Sequence, residues 1–275
     1  MNKQDVLVIE AHRTGRHYWR DLWRYRELFF FLAWRDILVR YKQTTIGIVW
    51  ALGRPLITML VFTLVFSKLA KLPSDGAPYP ILVFAALLPW QFFASAFSGA
   101  GDSLISNAGM ISKVYFPRLI IPASTLIVSF VDFLISLAIL VGLMAWYDFS
   151  PSSHMFALPI FTLLVFFAAM GTGLWIAALN VEYRDLRIIV PFVVQFGLYI
   201  SPVGFSSSIV PEQWRLLYSL NPMVGVIDGF RWAILGGNTP FYWPGFLLSS
   251  FLVLAILITG LYYFRKAEKT FADVI

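Results

Sequence analysis

The sequence predicts an all-α integral membrane protein, and three observations predict it. Hydrophobic residues make up 59% of the chain and charged residues only 13%, against about a quarter charged in an ordinary soluble protein. Six stretches with few or no charges reach the roughly 20 residues that a bilayer-crossing helix needs. The basic residues fall mostly between those stretches, where they set orientation. The expected architecture is six transmembrane helices, an N-terminal amphipathic interface helix, and a re-entrant helical pair between spans five and six. By residue, 1–18 form a cytoplasmic tail, 19–46 the interface helix and its connection, 47–264 the six-span domain and 265–275 a second cytoplasmic tail. A net charge of +6 would point to nucleic acid in a soluble protein, but its placement between spans argues against that reading. Cysteine is absent, so the chain has neither a disulfide framework nor a thiolate metal site. The polar first 28 residues carry no following apolar h-region, so no cleaved signal peptide is expected.

The stretch from Trp19 to Leu60 carries the passage from surface to membrane. Trp19, Leu22, Trp23, Phe29, Phe30, Ala33 and Ile37 recur at three- and four-residue spacing, while Arg20, Arg24, Glu27, Arg35 and Asp36 fall on the other side. This is the pattern of a helix lying in the headgroup layer. Between Lys42 and Lys68 only Arg54 is charged, which gives a first span over about Gly47 to Phe66, with Arg54 near its start and able to snorkel. The second span covers about Ile81 to Ser98, with Pro89 predicting a kink or a broken helix. It ends at the Gly99, Gly101, Asp102 cluster. The following segment to Arg118 is too polar to cross and long enough for one short surface helix.

The third span, about Leu119 to Trp146, is apolar apart from Asp132. The fourth, about Phe156 to Leu179, carries Gly171 and Gly173 among Ala168, Ala169, Ala177 and Ala178, which lets a neighbouring backbone approach closely. The fifth runs from about Ile188 to Phe205 and contains Pro191 and Pro202. Ser206 to Pro240 has too many breaks to span yet is apolar and aromatic, which fits two short helices dipping into the membrane and returning. The sixth span covers about Trp243 to Phe264. Threading six spans with the N-terminus inside places 17 of the 21 basic residues on the inner side, so both termini are expected in the cytoplasm.

Several residues stand out for function. Asp132 is the one acid in mid-span and shares a helical face with Ser129 and Ser136. It suits either proton or ion coupling or a structural hydrogen bond to a neighbouring helix. No second acid, histidine or lysine lies buried in a span as a relay partner, which favours the structural bond. Aromatic side chains account for 17% of the chain. Those at span ends, such as Trp19, Trp23 and Trp243, suit interfacial belts. Trp90, Phe92, Phe93, Trp214 and Tyr218 fall in broken helices and are candidates for a channel or gate. Asp228 and Arg231, three apart, can form a salt bridge that holds such a gate. Catalytic signatures are missing: the three histidines have no metal spacing, and no Gly-Lys dipeptide exists for a P-loop.

The run WRDILVRYKQTTIGIVWALGRP, the loop SNAGMISKVYFPR, the YRDLR connection, the SLNPMVGVIDGFRWAILG stretch and the final FADVI together resemble ABC-2 type transporter permeases. The nearest branch exports O-antigen, capsular polysaccharide and teichoic acid, work that belongs to lipopolysaccharide biosynthesis and related surface polymers. Arg54 before Pro55 departs from the pattern, where an uncharged residue is expected. The resemblance implies a homodimer in the bacterial inner membrane, driven by two copies of a separate ATPase that binds the ATP and Mg, with no cofactor in this chain. It further implies that Trp23, Arg26, Asn107, Met110, Lys113, Tyr115 and Arg118 lie where the ATPase couples, and that the re-entrant pair over about Pro211 to Gly237 caps the channel. The cargo would be a polysaccharide on a polyprenyl diphosphate lipid. Arg16, Arg20 and Arg24 are candidates for its diphosphate, since guanidinium matches phosphate oxygens, or they anchor to anionic lipid. The alternatives are an exporter of another lipid or drug cargo and, more remotely, a membrane glycosyltransferase or polymerase.

Overall fold

In an apolar chain the backbone groups must be bonded within each segment, and helices do this. A computed structural model describes residues 15–42, 45–74, 76–150, 152–183, 185–236 and 241–271; for 15–17 and 45–52 it describes the backbone alone. The side chain of Arg16 therefore lies outside the described residues. Among those described, all regular structure is helical. Helices α1 (Gly15–Arg24) and α2 (Arg26–Lys42) are parted at Tyr25, and α3 (Thr45–Phe62) runs on into a π-helical segment (Thr63–Leu69). Then come α4 (Tyr79–Ser106), the single turn α5 (Ala108–Ile111), α6 (Ile120–Trp146), α7 (Leu158–Glu182) and α8 (Leu186–Ile200). The chain ends with α9 (Glu212–Tyr218), α10 (Pro222–Leu235) and α11 (Trp243–Ala267). Among the described residues four helical segments are long and apolar enough to cross a membrane: Tyr79–Ser106, Ile120–Trp146, Ser153–Glu182 and Trp243–Ala267.

Helix α4 is the centre of the bundle. Its residues from Ile81 to Trp90 are all buried, and it packs against α6, α7 and α10. Two expectations are corrected here. The helix is continuous through Pro89, because a proline costs the helix one backbone bond and close packing on every side compensates. Nor does it stop at Gly99 to Asp102; it runs to Ser106. Asn180 on α7 donates from Nδ2 to the Gly101 carbonyl at 2.7 Å, so this glycine-containing turn is a contact surface for α7. The expected short surface helix shrinks to the single turn α5.

The small residues of α7 are used on two sides. A Cβ added at Gly171 would stand 2.7 Å from the Leu257 backbone of α11, and one at Gly173 would stand 2.8 Å from the Ala100 side chain of α4. Backbones in contact gain dispersion over their whole length, which is how helices associate where water gives no driving force.

Helix α10 is built by its own punctuation. Asn221 caps it by accepting from the Met223 backbone N–H at 3.0 Å, Pro222 occupies its first turn, and Gly236 ends it with φ at +81°. From Met223 to Leu235 all but Asp228 and Trp232 are buried. It is a core helix that packs on α4, α7 and α11. By contrast α9 is exposed, with Trp214 at 54%.

Helix α2 differs from the expected flat interface helix. Leu32 joins the cluster containing Leu119 and Ile120 at the start of α6, while Arg40 reaches Asp132, twelve residues further along α6, about 18 Å at the helical rise. Thus α2 climbs beside α6. Phe30, Phe31 and Trp34 stay exposed on its far side.

A Gly171→Val substitution is expected to force α7 and α11 apart and to destabilise the protein by about 2 to 3 kcal/mol, the usual cost of overpacking. Gly109→Ala, which meets nothing within 4 Å, should be close to neutral. Thermal unfolding of both variants in detergent checks the contrast.

Candidate functional site

Two polar centres and one apolar cluster make up the site. The cluster gathers Leu32 of α2, Leu104 of α4, Ile111, Phe116, Leu119 to Ile121, the second half of α7, and Phe264 and Phe271 around the end of α11. Tyr18 of α1 packs against it. Residues near both ends of the chain therefore meet at one end of the bundle. This follows from the apolar spacing of YFPRLII, which puts Phe116, Leu119 and Ile120 inward.

Around this cluster the predicted coupling residues sort themselves by role. Arg35 of α2 donates from Nη2 to Asn107 Oδ1 at 3.2 Å, and Asn107 donates in turn from Nδ2 to the Ser103 carbonyl at 2.9 Å. Arg35 also pairs with Asp36 at 2.7 Å. The interface helix is thereby bonded to the end of α4. Lys113 and Tyr115 are exposed and Met110 half-buried, and an open hollow of about 210 Å³ lies between Ile111 to Phe116 and Arg118. Arg118 faces the other way: its backbone N–H donates to Glu268 Oε1 at 2.8 Å, and its guanidinium donates to the Glu268 carbonyl. Burial pushes the Glu268 carboxyl above its usual range, opposed by the donation from Arg118. Burial likewise raises the phenol of Tyr18, which sits beside Glu268. On α1 and α2 the Arg26 guanidinium lies 5.4 Å from the Trp23 ring. Arg20, Trp23 and Arg24 are exposed.

The second centre is Asp132. Tyr41 donates its hydroxyl to Oδ1, and the Arg40 guanidinium pairs with Oδ2 at 2.5 Å. Both partners come from the end of α2. Sequence reasoning looked for partners only inside spans and so missed them. The signal was there in the adjacent Arg-Tyr pair, a cation and a phenol closing an otherwise apolar segment. Ser129 faces α4 instead, 3.1 Å from the Ser95 hydroxyl, and Ser136 is buried.

The predicted channel residues are dispersed. Phe92 is 2% exposed, with its ring against Phe130, Phe133 and Phe166. It is core, because α4 is not broken where the pore assignment assumed. Trp90 is buried over Gly197 of α8, and Phe93 stacks on Phe97. Arg231 is 2% exposed and its three guanidinium nitrogens donate to the carbonyls of Leu82 at 3.3 Å, Phe205 at 2.5 Å and Val203 at 2.9 Å. It fastens the α8–α9 connection inside the subunit. Tyr218 donates to the Ile200 carbonyl at 2.7 Å. Asp228 is half-buried, and Trp214 is open. Among the described residues no group of histidines and acids could hold a metal.

The ABC-2 type transporter family matches residues 27–235. The chain belongs to that family. Its members are transport permeases, and the matched region takes in α2, the end of α4, the α4–α6 loop and all of α10. The O-antigen export system permease protein RfbA of Klebsiella pneumoniae is 26% identical over 242 residues, covering 88% of this chain and 92% of the relative. The protein of the same name from Myxococcus xanthus is 26% identical over 258 residues, covering 93% and 98%. The polysialic acid transport protein KpsM of Escherichia coli is 22% identical over 243 residues, covering 86% and 91%.

The Arg40→Ala variant should lower stability by about 1 to 2 kcal/mol, since it leaves the Asp132 carboxylate with Tyr41 alone while the cation removed was half-exposed. The double variant Arg40→Met, Asp132→Leu should recover most of the loss. A double-mutant cycle by thermal unfolding checks this.

Proposed function

We propose that this ABC-2 chain is the channel-forming permease subunit of an ATP-driven exporter for a lipid-linked polysaccharide of the O-antigen or capsule type. The observation that carries the reading is the near end-to-end correspondence with relatives named for O-antigen export and polysialic acid transport. Partial matches leave room for a different working end, whereas coverage of more than nine-tenths of each relative does not.

In this reading the chain crosses the bacterial inner membrane six times, through α3 with its π-helical continuation, α4, α6, α7, α8 and α11. Helix α8 has 15 residues, about 22 Å, and needs the stretch after it to complete a crossing of roughly 30 Å. The meeting of Tyr18 and Phe271 in one cluster supports an even number of crossings. The 17 basic residues on that side support a cytoplasmic location for it. Helices α9 and α10 form the re-entrant pair on the outer face. Two subunits pair around the conduit, and two copies of a separate ATPase, which bind ATP and Mg, grip the surface formed by α1, Lys113 and Tyr115. The open hollow beside those residues and their exposure support that contact. Arg20 and Arg24 meet the diphosphate of the incoming lipid at the headgroup level, where their guanidinium groups are free to make bidentate contacts.

Deletion of this chain should cause a diphosphate-linked sugar lipid to accumulate inside the cell, read by mass spectrometry, and affinity purification should bring down an ABC ATPase. Absence of both would overturn the function. An Arg20→Ala, Arg24→Ala double variant should insert normally and lower export by about tenfold or more, on the scale of two charge-assisted hydrogen bonds. Unchanged export would restrict these arginines to lipid anchoring.

A further inference from the structure

The turn that follows α11 holds together two elements far apart in sequence. Glu268 and Arg118 make a reciprocal pair: the Arg118 backbone N–H donates to the Glu268 carboxylate at 2.8 Å, and the Arg118 side chain donates to the Glu268 backbone carbonyl. Three residues earlier, the Arg265 guanidinium lies over the Tyr18 ring of α1 at 4.6 Å. Three residues later, Phe271 is 1% exposed and meets Phe264 edge-on at 5.5 Å. The turn itself is fixed by Glu268 N–H donating to the Phe264 carbonyl at 2.7 Å and Thr270 N–H to the Ala267 carbonyl at 3.0 Å. A carboxylate this enclosed is costly unless bonded. Its bonding partner is the residue at which the α4–α6 loop re-enters the bundle.

We propose that Glu268 and Arg265 form a clasp that makes α1 and the α4–α6 loop one mechanical unit with α11. Under the export function proposed above, on which this inference rests, those two elements take the push of the ATPase. The clasp adds a polar tie to the apolar packing of Tyr18 and Leu22 of α1 on the cluster, and without it the loop from Ser112 to Tyr115, which is exposed, would yield separately from α1. Glu268 is thus a positioning residue for force transmission. It touches neither nucleotide nor cargo.

The test uses the permease reconstituted with its ATPase, measuring export and ATP hydrolysis together. Wild-type export with ATP is the control; its failure would sink the function, not the clasp. The Glu268→Ala variant is expected to keep ATPase binding and ATP turnover but to lower export per ATP by about tenfold, the scale of one lost hydrogen bond to a charged group. Glu268→Gln keeps an acceptor for the Arg118 N–H and should restore most of the ratio, which a purely charge-based role would not. An unchanged export-to-ATP ratio in Glu268→Ala overturns the clasp. Because the chain has no cysteine, a Tyr18→Cys, Arg265→Cys pair can be joined uniquely by a short bifunctional thiol reagent, which keeps the test valid if Glu268→Ala folds poorly. Opening the Arg265–Tyr18 contact should lower export per ATP in the unjoined Cys pair, and joining the two cysteines with a disulfide-forming bis-methanethiosulfonate should restore it if α1 and α11 move as one body. Loss of export on cross-linking, reversed by a reductant, shows that they must move apart and overturns the proposal.

Discussion

A polar group taken out of water must find a partner, and the half of the bundle around the α8–α9 connection is arranged around one such group. The Arg231 guanidinium is fully enclosed and donates to three backbone carbonyls, two of them in the irregular stretch between α8 and α9. That stretch bonds only some of its own carbonyls, and side chains from elsewhere reach others of its polar groups. Tyr79 of α4 donates to the Gly204 carbonyl at 2.7 Å, Tyr218 donates to Ile200, and Asn221 reaches Ser201 at 2.9 Å. Non-helical backbone is tolerated inside a membrane protein only where protein or a water-filled cavity satisfies it. Because α4, α9 and α10 supply those donors, the chain can turn back at Val203 and bring α10 into the core.

The same constraint at Asp132 joins parts that look independent in sequence. Its carboxylate sits in an apolar helix, and its cation and phenol come from α2, 91 residues away. Two positions of α2 are thereby tied to the bundle, Arg35 to Asn107 at one end and Arg40 to Asp132 at the other. The interface helix is therefore no loose amphipathic float. Its two anchors are a hydrogen bond to Asn107 at the end of α4 and an ion pair with Asp132 of α6.

The all-helical, membrane-spanning character was legible, and four of the expected spans have a helix long and apolar enough to cross, because their signal is composition, which tertiary contacts do not alter. The small-residue face of α7 was legible too: Gly171 lies against the α11 backbone and Gly173 against the Ala100 side chain. For Asp132 the polar pair Arg40 and Tyr41 was visible but nothing local assigned it to a residue so far along the chain, and the carbonyls that Arg231 meets carry no sequence signal. Arg231 is three residues from Asp228, as helical spacing requires for a pair, and it also donates to three carbonyls whose exposure only the folded backbone determines. Pro89 misled in another way. A proline weakens a helix locally, and whether the helix breaks depends on how tightly its neighbours hold it, here with every residue from Ile81 to Trp90 buried. The surface residues Lys113, Tyr115, Arg20 and Arg24 were legible as exposed and basic or aromatic, yet exposure alone assigns no partner.

These contacts also divide the bundle into parts that can and cannot shift. Helices α7 and α11 meet backbone to backbone at Gly171 and Gly260, and Gly173 of α7 meets the Ala100 side chain of α4, so sliding α7 along α11 would drive main-chain atoms into one another. Close-packed interiors of this kind are bistable at best and do not deform continuously. Helices α3 and α8 are different. Each leaves a long apolar face uncovered, Ile57, Leu60, Val61 and Leu64 on one and Ile188, Phe192, Phe196 and Tyr199 on the other, and Phe62 meets Tyr199 only as a tilted ring pair at 6.2 Å. Side-chain contacts of that sort can be exchanged without breaking a hydrogen bond. The π-helical turn at Thr63 to Leu69, where the backbone ladder is already irregular, gives α3 a place to bend. The main-chain contacts thus lie between α7 and α11, and the contacts most easily exchanged are the side-chain contacts of α3 and α8.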